Sequence, residues 1–329
     1  MKKNIFKNKK ILVAGGTGMV GQQLVPRLIR LGAKVYVASM DNKDLVCENI
    51  IKFYKLDLIK LDNCLKVTKN IDIVFNLLGV TGSPKVSIEK PASFMMSNLY
   101  CAVNLLYAAQ KNNVKRYLYT STYGVYGPSK NMTENNVWKT FPSEHDKYAG
   151  WAKRIGELQI EAYKKEFNFK SLHIVRPANI YGPYLNFNPK NSMVVGSLIR
   201  RILSEENPLK IWGDGSNIRD FIYSEDVAEA MIKVMEKNIE SPINIGSGKG
   251  VSIKKLINTI LKCKKIKKVP KISFQNNRPS GDKIRVLNVN FAKKNGIVAK
   301  TSLKKGLEKT IEWYLNNSIE NRFNYFLKN

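Results

Sequence analysis

Ile11-Leu12-Val13-Ala14-Gly15-Gly16-Thr17-Gly18-Met19-Val20-Gly21 is the stretch of this 329-residue chain on which the fold turns. Four apolar residues read as a buried strand and run straight into a turn with Gly15, Gly18 and Gly21 at G-x-x-G-x-x-G spacing. Missing side chains at these points permit a tight turn, close approach of a pyrophosphate and close packing of the next helix on the strand. The stretch Gln22 to Leu31 has helical patterning, and the N–H groups opening such a helix face phosphate oxygens. The reading is a dinucleotide cradle walled by Gly15, Thr17, Gly18, Met19, Val20 and Gly21.

Outward from this turn, apolar runs alternate with helical patterns. Strands are expected at Lys34 to Ala38, Ile51 to Lys55, Ile71 to Leu77, Arg116 to Ser121 and Leu172 to Val175, with helices at Pro91 to Asn112 and Tyr148 to Phe167. Such alternation implies an α/β fold, a Rossmann-type doubly wound parallel sheet. After Arg176-Pro177 the pattern loosens into loops, a helix around Ser192 to Ser204, the turn Trp212-Gly213-Asp214-Gly215 and a late strand at Ile243 to Ile245. The expected organisation is a dinucleotide-binding domain at 1–178 with a returning segment at about 218–248. A smaller C-terminal substrate-binding lobe takes 179–217 and 249–329, with the ligand cleft between the two.

Composition narrows the function. The formal charge of +29 invites a nucleic-acid reading, but lysines spread along the whole chain and the one dense run, Lys262 to Lys271, lacks interleaved aromatics. Solvated lysines and mild attraction of anionic substrates are the better account, without nucleic-acid binding. No apolar stretch reaches membrane-span length, and Met1-Lys2-Lys3-Asn4 opens no apolar signal core, so a cytoplasmic protein without membrane contact is expected. Cys47, Cys64, Cys101 and Cys263 are scattered, and His145 and His173 are the only histidines. Reduced thiols and no metal site follow.

The chain resembles the extended short-chain dehydrogenases, specifically their nucleotide-sugar epimerase, dehydratase and reductase group. The resemblance runs nearly end to end through the glycine turn, Asp57-Leu58, Asn98, Ser121-Thr122-Tyr123-Gly124-Val125-Tyr126-Gly127, Arg176-Pro177-Ala178-Asn179-Ile180-Tyr181-Gly182-Pro183 and Ile218-Arg219-Asp220-Phe221-Ile222. Asn186-Phe187-Asn188-Pro189-Lys190-Asn191-Ser192 and Pro279-Ser280-Gly281-Asp282-Lys283-Ile284-Arg285-Val286-Leu287 are most similar to the GDP-fucose synthase-like, GDP-sugar branch.

The resemblance implies roles. Asp57 and Leu58 would meet the adenine, Leu78 and Gly79 the ribose and diphosphate, and Asn98 the cofactor cleft; for Leu78, core packing is an equal account. An acidic residue ending the second strand reads a ribose 2′-OH, whereas a basic one suits a 2′-phosphate. Ser39 stands at that position with Asp41 two residues on and no arginine nearby. NAD is favoured and NADP is not excluded.

For catalysis, Thr122 would hydrogen-bond the reacting sugar oxygen and Lys153 would hold the nicotinamide ribose. Four residues before Lys153, where the family carries its proton-exchanging tyrosine, stands Ala149, and Tyr148 is five residues away. Positions five apart diverge by about 140° on a helix, so Tyr148 reaches only from an entering loop, with the helix beginning near Ala149. Tyr123 and Gly124 replace the acids that follow the threonine in family dehydratases, which disfavours 4,6-dehydration. Gly124 and Met193 replace the cysteine and histidine of GDP-fucose synthases, which puts double epimerisation in doubt. Thr81, Ser83, Asn179, Arg201, Arg219 and Arg278 would bind the sugar nucleotide.

Hydride transfer at one sugar carbon remains, by an NAD(P)-dependent oxidoreductase or epimerase serving surface polysaccharide biosynthesis. The alternative is a cofactor-binding or regulatory protein that has lost catalysis. Family members are often homodimers through two helices, here Pro91 to Asn112 and Trp151 to Phe167.

Overall fold

The structure, a computed structural model, describes residues 4–80, 87, 89–129, 131–276 and 281–317. Thr81, Ser83 and Arg278 lie outside the described residues.

The decisive stretch forms β1 (Lys10–Ala14). Ile11 and Val13 enter one hydrophobic cluster, while Leu12 and Ala14 enter another on the opposite face. A strand buried on both faces belongs inside a parallel sheet, and its apolar run is continuous for that reason. β1 pairs in parallel with β2 (Lys34–Ser39) and with β4 (Ile73–Asn76). The remaining strands of this sheet are β3 (Lys52–Lys55), β5 (Arg116–Thr120), β6 (Leu172–Pro177) and β10 (Ile243–Ile245). All seven run parallel in the order β10-β6-β5-β4-β1-β2-β3. The order reverses between β1 and β4, the crevice where doubly wound sheets bind ligands at their carboxyl ends.

Helices α1 (Gly21–Arg30) and, later in the chain, α6 (Ser224–Glu236) cover one face. Helices α2 (Leu61–Thr68), α3 (Pro91–Lys111) and α4 (Lys147–Glu166) cover the other. Between β6 and β10 the chain leaves the sheet to build a second core from β7 (Asn179–Tyr181), α5 (Val194–Leu203), β8 (Leu209–Trp212) and β9 (Ile218–Tyr223). It then adds β11 (Gly250–Ser252), α7 (Ile253–Leu261), β12 (Ile272–Gln275) and β13 (Ile284–Arg285). α8 (Asn290–Lys294) packs back under β10, and α9 (Leu303–Asn316) closes the smaller lobe's core. β9 is its hub, flanked by β11, β13 and β7, while β8 pairs with β12. Among the described residues no helix is long and apolar enough to cross a membrane.

Candidate active site

The glycine turn lies hard against its neighbours. Gly15 has φ +82, and a Cβ there would sit 3.3 Å from the Leu77 backbone. One on Gly21 would fall 2.5 Å from the Gly16 carbonyl, so any side chain pushes α1 off the turn. Gly15 N–H donates to Ala38 C=O at 2.8 Å and Gly18 N–H to Gly15 C=O at 3.0 Å. Thr17, buried in the turn, has its hydroxyl 2.6 Å from both Ser39 Oγ and Asp41 Oδ2. Met19 reaches the other way and packs on the smaller lobe's core, whereas Val20 packs on the sheet. A backbone cradle at a helix N-terminus with no room for Cβ atoms fits a dinucleotide pyrophosphate.

Several expected cofactor residues have their side chains engaged within the protein. Leu58 is buried in the core beneath α2, and the Asp57 carboxylate accepts from Ile59 N–H at 3.0 Å. Leu78 packs its side chain on the same core while presenting its carbonyl. Asn98, expected at the cofactor, spends its side-chain amide on the Val80 N–H, the Val80 carbonyl and the Phe94 carbonyl. At 2% exposure it clamps the segment leaving β4 and shapes the cleft edge rather than lining it. Gly79 follows Leu78, and a Cβ there would stand 3.4 Å from Lys153 Nζ.

Lys153 joins the two strand ends that bracket the crevice. Its ammonium donates to Leu78 C=O beyond β4 and to Thr120 C=O ending β5, both at 2.9 Å, and lies 5.0 Å from the Tyr119 ring centroid. An ammonium has three donors, so one remains for a ligand. Burial lowers its pKa to about 8, against the opposing pull of Cys101 and Glu157. Burial likewise pushes the Cys101 thiol up to about 12.

Thr122 leaves β5 and accepts from Gly124 N–H at 3.1 Å, which keeps its own O–H as a donor. The condition under which Tyr148 reaches the site is not met. Helix α4 begins at Lys147, so Tyr148 is its second residue, helical phase applies, and Ala149 holds the position one turn before Lys153. Ala149 packs with Phe94 and Val80. Gly150 brings the helix against the turn after Thr122, since a Cβ there would meet Gly124 C=O at 2.6 Å and Pro142 Cβ at 2.7 Å.

Behind Thr122 lies a buried network that sequence reasoning missed. Arg176 grips Glu157 with two bonds of 2.9 and 2.6 Å, and Ser121 Oγ donates to the same carboxylate at 2.5 Å. Arg176 also donates to the Tyr126 hydroxyl and the Glu134 carbonyl. Burial alone would lower the Arg176 pKa, but the Glu157 carboxylate more than reverses this and keeps the guanidinium charged. Arg285, at 3% exposure, donates to Asp146, Ser143 Oγ and the Tyr123 and Tyr126 carbonyls, and stacks 4.5 Å from the Tyr123 ring centroid. It ties the smaller lobe to the Thr122 turn. Lysine cannot replace either arginine, because their fork contacts are multiple and planar.

On the substrate side, Asn179 Oδ1 accepts the Tyr123 hydroxyl at 2.8 Å, and its amide donates to Asp220 C=O. Burial pushes the Tyr123 phenol up, opposed by Arg285. Arg219 borders the Gly281 turn near His145. Arg201, expected at the substrate's diphosphate, pairs its guanidinium with Glu206 at 2.7 and 2.5 Å and with the Lys210 carbonyl. The adjoining Arg200 has a buried Nε without a hydrogen-bond partner among the described residues. No group of His, Cys, Asp and Glu among the described residues would hold a metal.

A parallel sheet with a glycine cradle at its switch point, and a buried lysine bridging β4 to β5, defines a Rossmann-type dinucleotide-dependent enzyme. The family model described as "NAD dependent epimerase/dehydratase family" matches residues 11–246. The chain belongs to that family, and its cofactor is NAD. It is 27% identical over 314 residues to GDP-mannose 3,5-epimerase of Arabidopsis thaliana, spanning 93% of this chain and 82% of the relative. GDP-L-fucose synthase of Escherichia coli (strain K12) is 27% identical over 330 residues, spanning 95% and 98%. The crystal structure of UDP-glucose 4-epimerase from Thermotoga maritima with UDP-glucose superposes with a TM-score of 0.81 at 26% identity, covering 93% of this chain and 99% of that one.

Proposed function

We propose that this enzyme passes hydride between NAD and one carbon of a nucleotide-linked sugar, with GDP as the nucleotide, in the cytoplasm and for surface polysaccharide assembly. The observation that carries the reading is Lys153: a buried ammonium held between the ends of β4 and β5, with the glycine cradle on one side and the Thr122 hydroxyl on the other. NAD, when bound, accepts or returns the hydride. Thr122 O–H donates to the reacting sugar oxygen, and the third Lys153 donor holds the nicotinamide ribose. Asn179, Arg201 and Arg219 meet the substrate's diphosphate. GDP rests on the two GDP-sugar relatives, both matched along most of the chain.

A second reading, a cofactor-binding protein without turnover, is favoured by Ala149 standing where a phenol would exchange the sugar proton. One experiment separates them. Purified protein is mixed with GDP-, UDP-, CDP- and dTDP-sugars, products are followed by NMR, and Tyr148→Phe is compared with the parent chain. Turnover of a GDP-sugar supports the enzyme, and no turnover or binding of any sugar nucleotide sinks it. Unchanged turnover in the variant removes Tyr148 from the chemistry.

We also propose a homodimer through α3 and α4, whose outer faces expose Met96, Tyr100, Tyr107, Ile155 and Leu158.

A further inference from the structure

We infer that Thr17 is the residue that sets the choice between NAD and NADP, because it holds the ribose-reading carboxylate in place from inside the phosphate cradle. The inference rests on the cofactor reading above. The position ending β2 is Ser39, which carries no charge and is buried at 8% exposure. The nearest carboxylate, Asp41, lies two residues past the strand end, in a segment with no regular structure to orient it. Left to itself, so displaced an acid would point its side chain by chance.

Three hydrogen bonds remove that freedom. An ionised carboxylate only accepts, so the Thr17 hydroxyl donates to Asp41 Oδ2 at 2.6 Å. With that proton committed, Ser39 O–H is the donor across the 2.6 Å contact to Thr17 Oγ1. Asp41 N–H then donates to Ser39 Oγ at 3.2 Å and closes a ring of three residues. Each member polarises the next, and Thr17 and Ser39 bring the ring's inner side into buried surroundings.

The ring forms because the turn has no clearance from β2: a Cβ on Gly16 would stand 2.7 Å from Val37 Cγ1, and Gly15 N–H is bonded to Ala38 C=O. The cradle and the carboxylate are thus one rigid unit. A pyrophosphate seated on the glycine turn leaves its adenosine ribose beside β2, where Asp41 accepts from ribose hydroxyls and repels a 2′-phosphate. Around it stand two ammonium groups with the opposite preference. Lys55, ending β3, donates to Asn42 Oδ1 at 2.6 Å, and Lys43 opens the short turn beyond Asn42. With Asp41 released, these lysines favour the phosphate.

The test is the ratio of dissociation constants for NADP and NAD, measured by calorimetry on the purified full chain and needing no sugar substrate. The parent chain is expected to prefer NAD at least tenfold. Asp41→Asn should cut that ratio tenfold or more. Thr17→Val, which keeps shape but loses the donor, should cut it at least threefold, with Thr17→Ser restoring it to within twofold. Ser39→Ala breaks the same ring and serves if the valine variant does not fold. An unchanged ratio in Asp41→Asn overturns the carboxylate's role. A lowered ratio there with an unchanged one in both Thr17→Val and Ser39→Ala overturns the ring. Absence of binding of either dinucleotide to the parent chain would overturn the cofactor reading itself, a result distinct from a flat ratio.

Discussion

Replacing Glu157 with Gln should cost more stability than most single changes in this protein. The side chains of Arg176 and Glu157 are 1% and 3% exposed, and their bond is two-point. Gln keeps the shape but presents an amide N–H where the guanidinium donates, and leaves a buried cation without a counter-ion. Breaking one partner of such a pair costs about 3–5 kcal/mol, whereas replacing both with apolar residues of similar volume is often near neutral. Against a total of about 5–15 kcal/mol, the single variant loses at least about a fifth of the stability. Equilibrium unfolding in guanidinium chloride at pH 7, with a common slope, reads the difference from the midpoints. Glu157→Leu with Arg176→Met should recover most of the loss, giving a coupling of more than about 2 kcal/mol in the double-mutant cycle. A Gln variant within about 1 kcal/mol of the parent, or a double variant no better than the single, would refute the argument that the pair is energetically closed.

Two pH effects and one assembly effect follow. Lys153 is lowered to about 8 from its usual 10.5, so between those values the unfolded chain binds the extra proton and stability rises with pH. The parent should gain at most about 3 kcal/mol on Lys153→Met over that window, read by unfolding at several pH values. His173 is buried, bonded through Nδ1 to Ile239 C=O, and depressed to about 4 mainly by burial. It stays neutral when folded while the unfolded ring protonates, so stability should fall by about 3 kcal/mol from pH 6.5 to 4, and His173→Gln should flatten that slope. Leu158→Glu on the exposed face of α4 should convert the proposed dimer to monomer by light scattering; an unchanged mass would move the interface elsewhere.

The nucleotide half of the fold was legible because its signals are local. A continuous apolar run followed by glycines at fixed spacing can hardly be anything but an interior strand entering a helix, and the expected strands match the observed ones to within about two residues at each end. The readings of Thr122 and Lys153 likewise came from contiguous motifs. What escaped is tertiary. Arg285 meets Asp146 across 139 positions, and Thr17 meets Asp41 across 24. Arg201 meets Glu206 five residues on, a pairing that periodicity alone does not report. Tyr148 turns on a boundary: the helix begins at Lys147, two residues before Ala149, so helical phase governs it. The signal for the buried arginines was present in their persistence amid lysine, and it was passed over.

The central claim is hydride exchange between NAD and a sugar nucleotide beside Lys153 and Thr122. Rapid mixing of the NAD-loaded protein with GDP-sugars, followed at the absorbance of the reduced nicotinamide, tests it most directly. A transient or lasting rise with at least one GDP-sugar, absent in Lys153→Met at saturating cofactor, is the predicted result. No change with any GDP-, UDP-, CDP- or dTDP-sugar, in a protein shown to hold NAD, would contradict it.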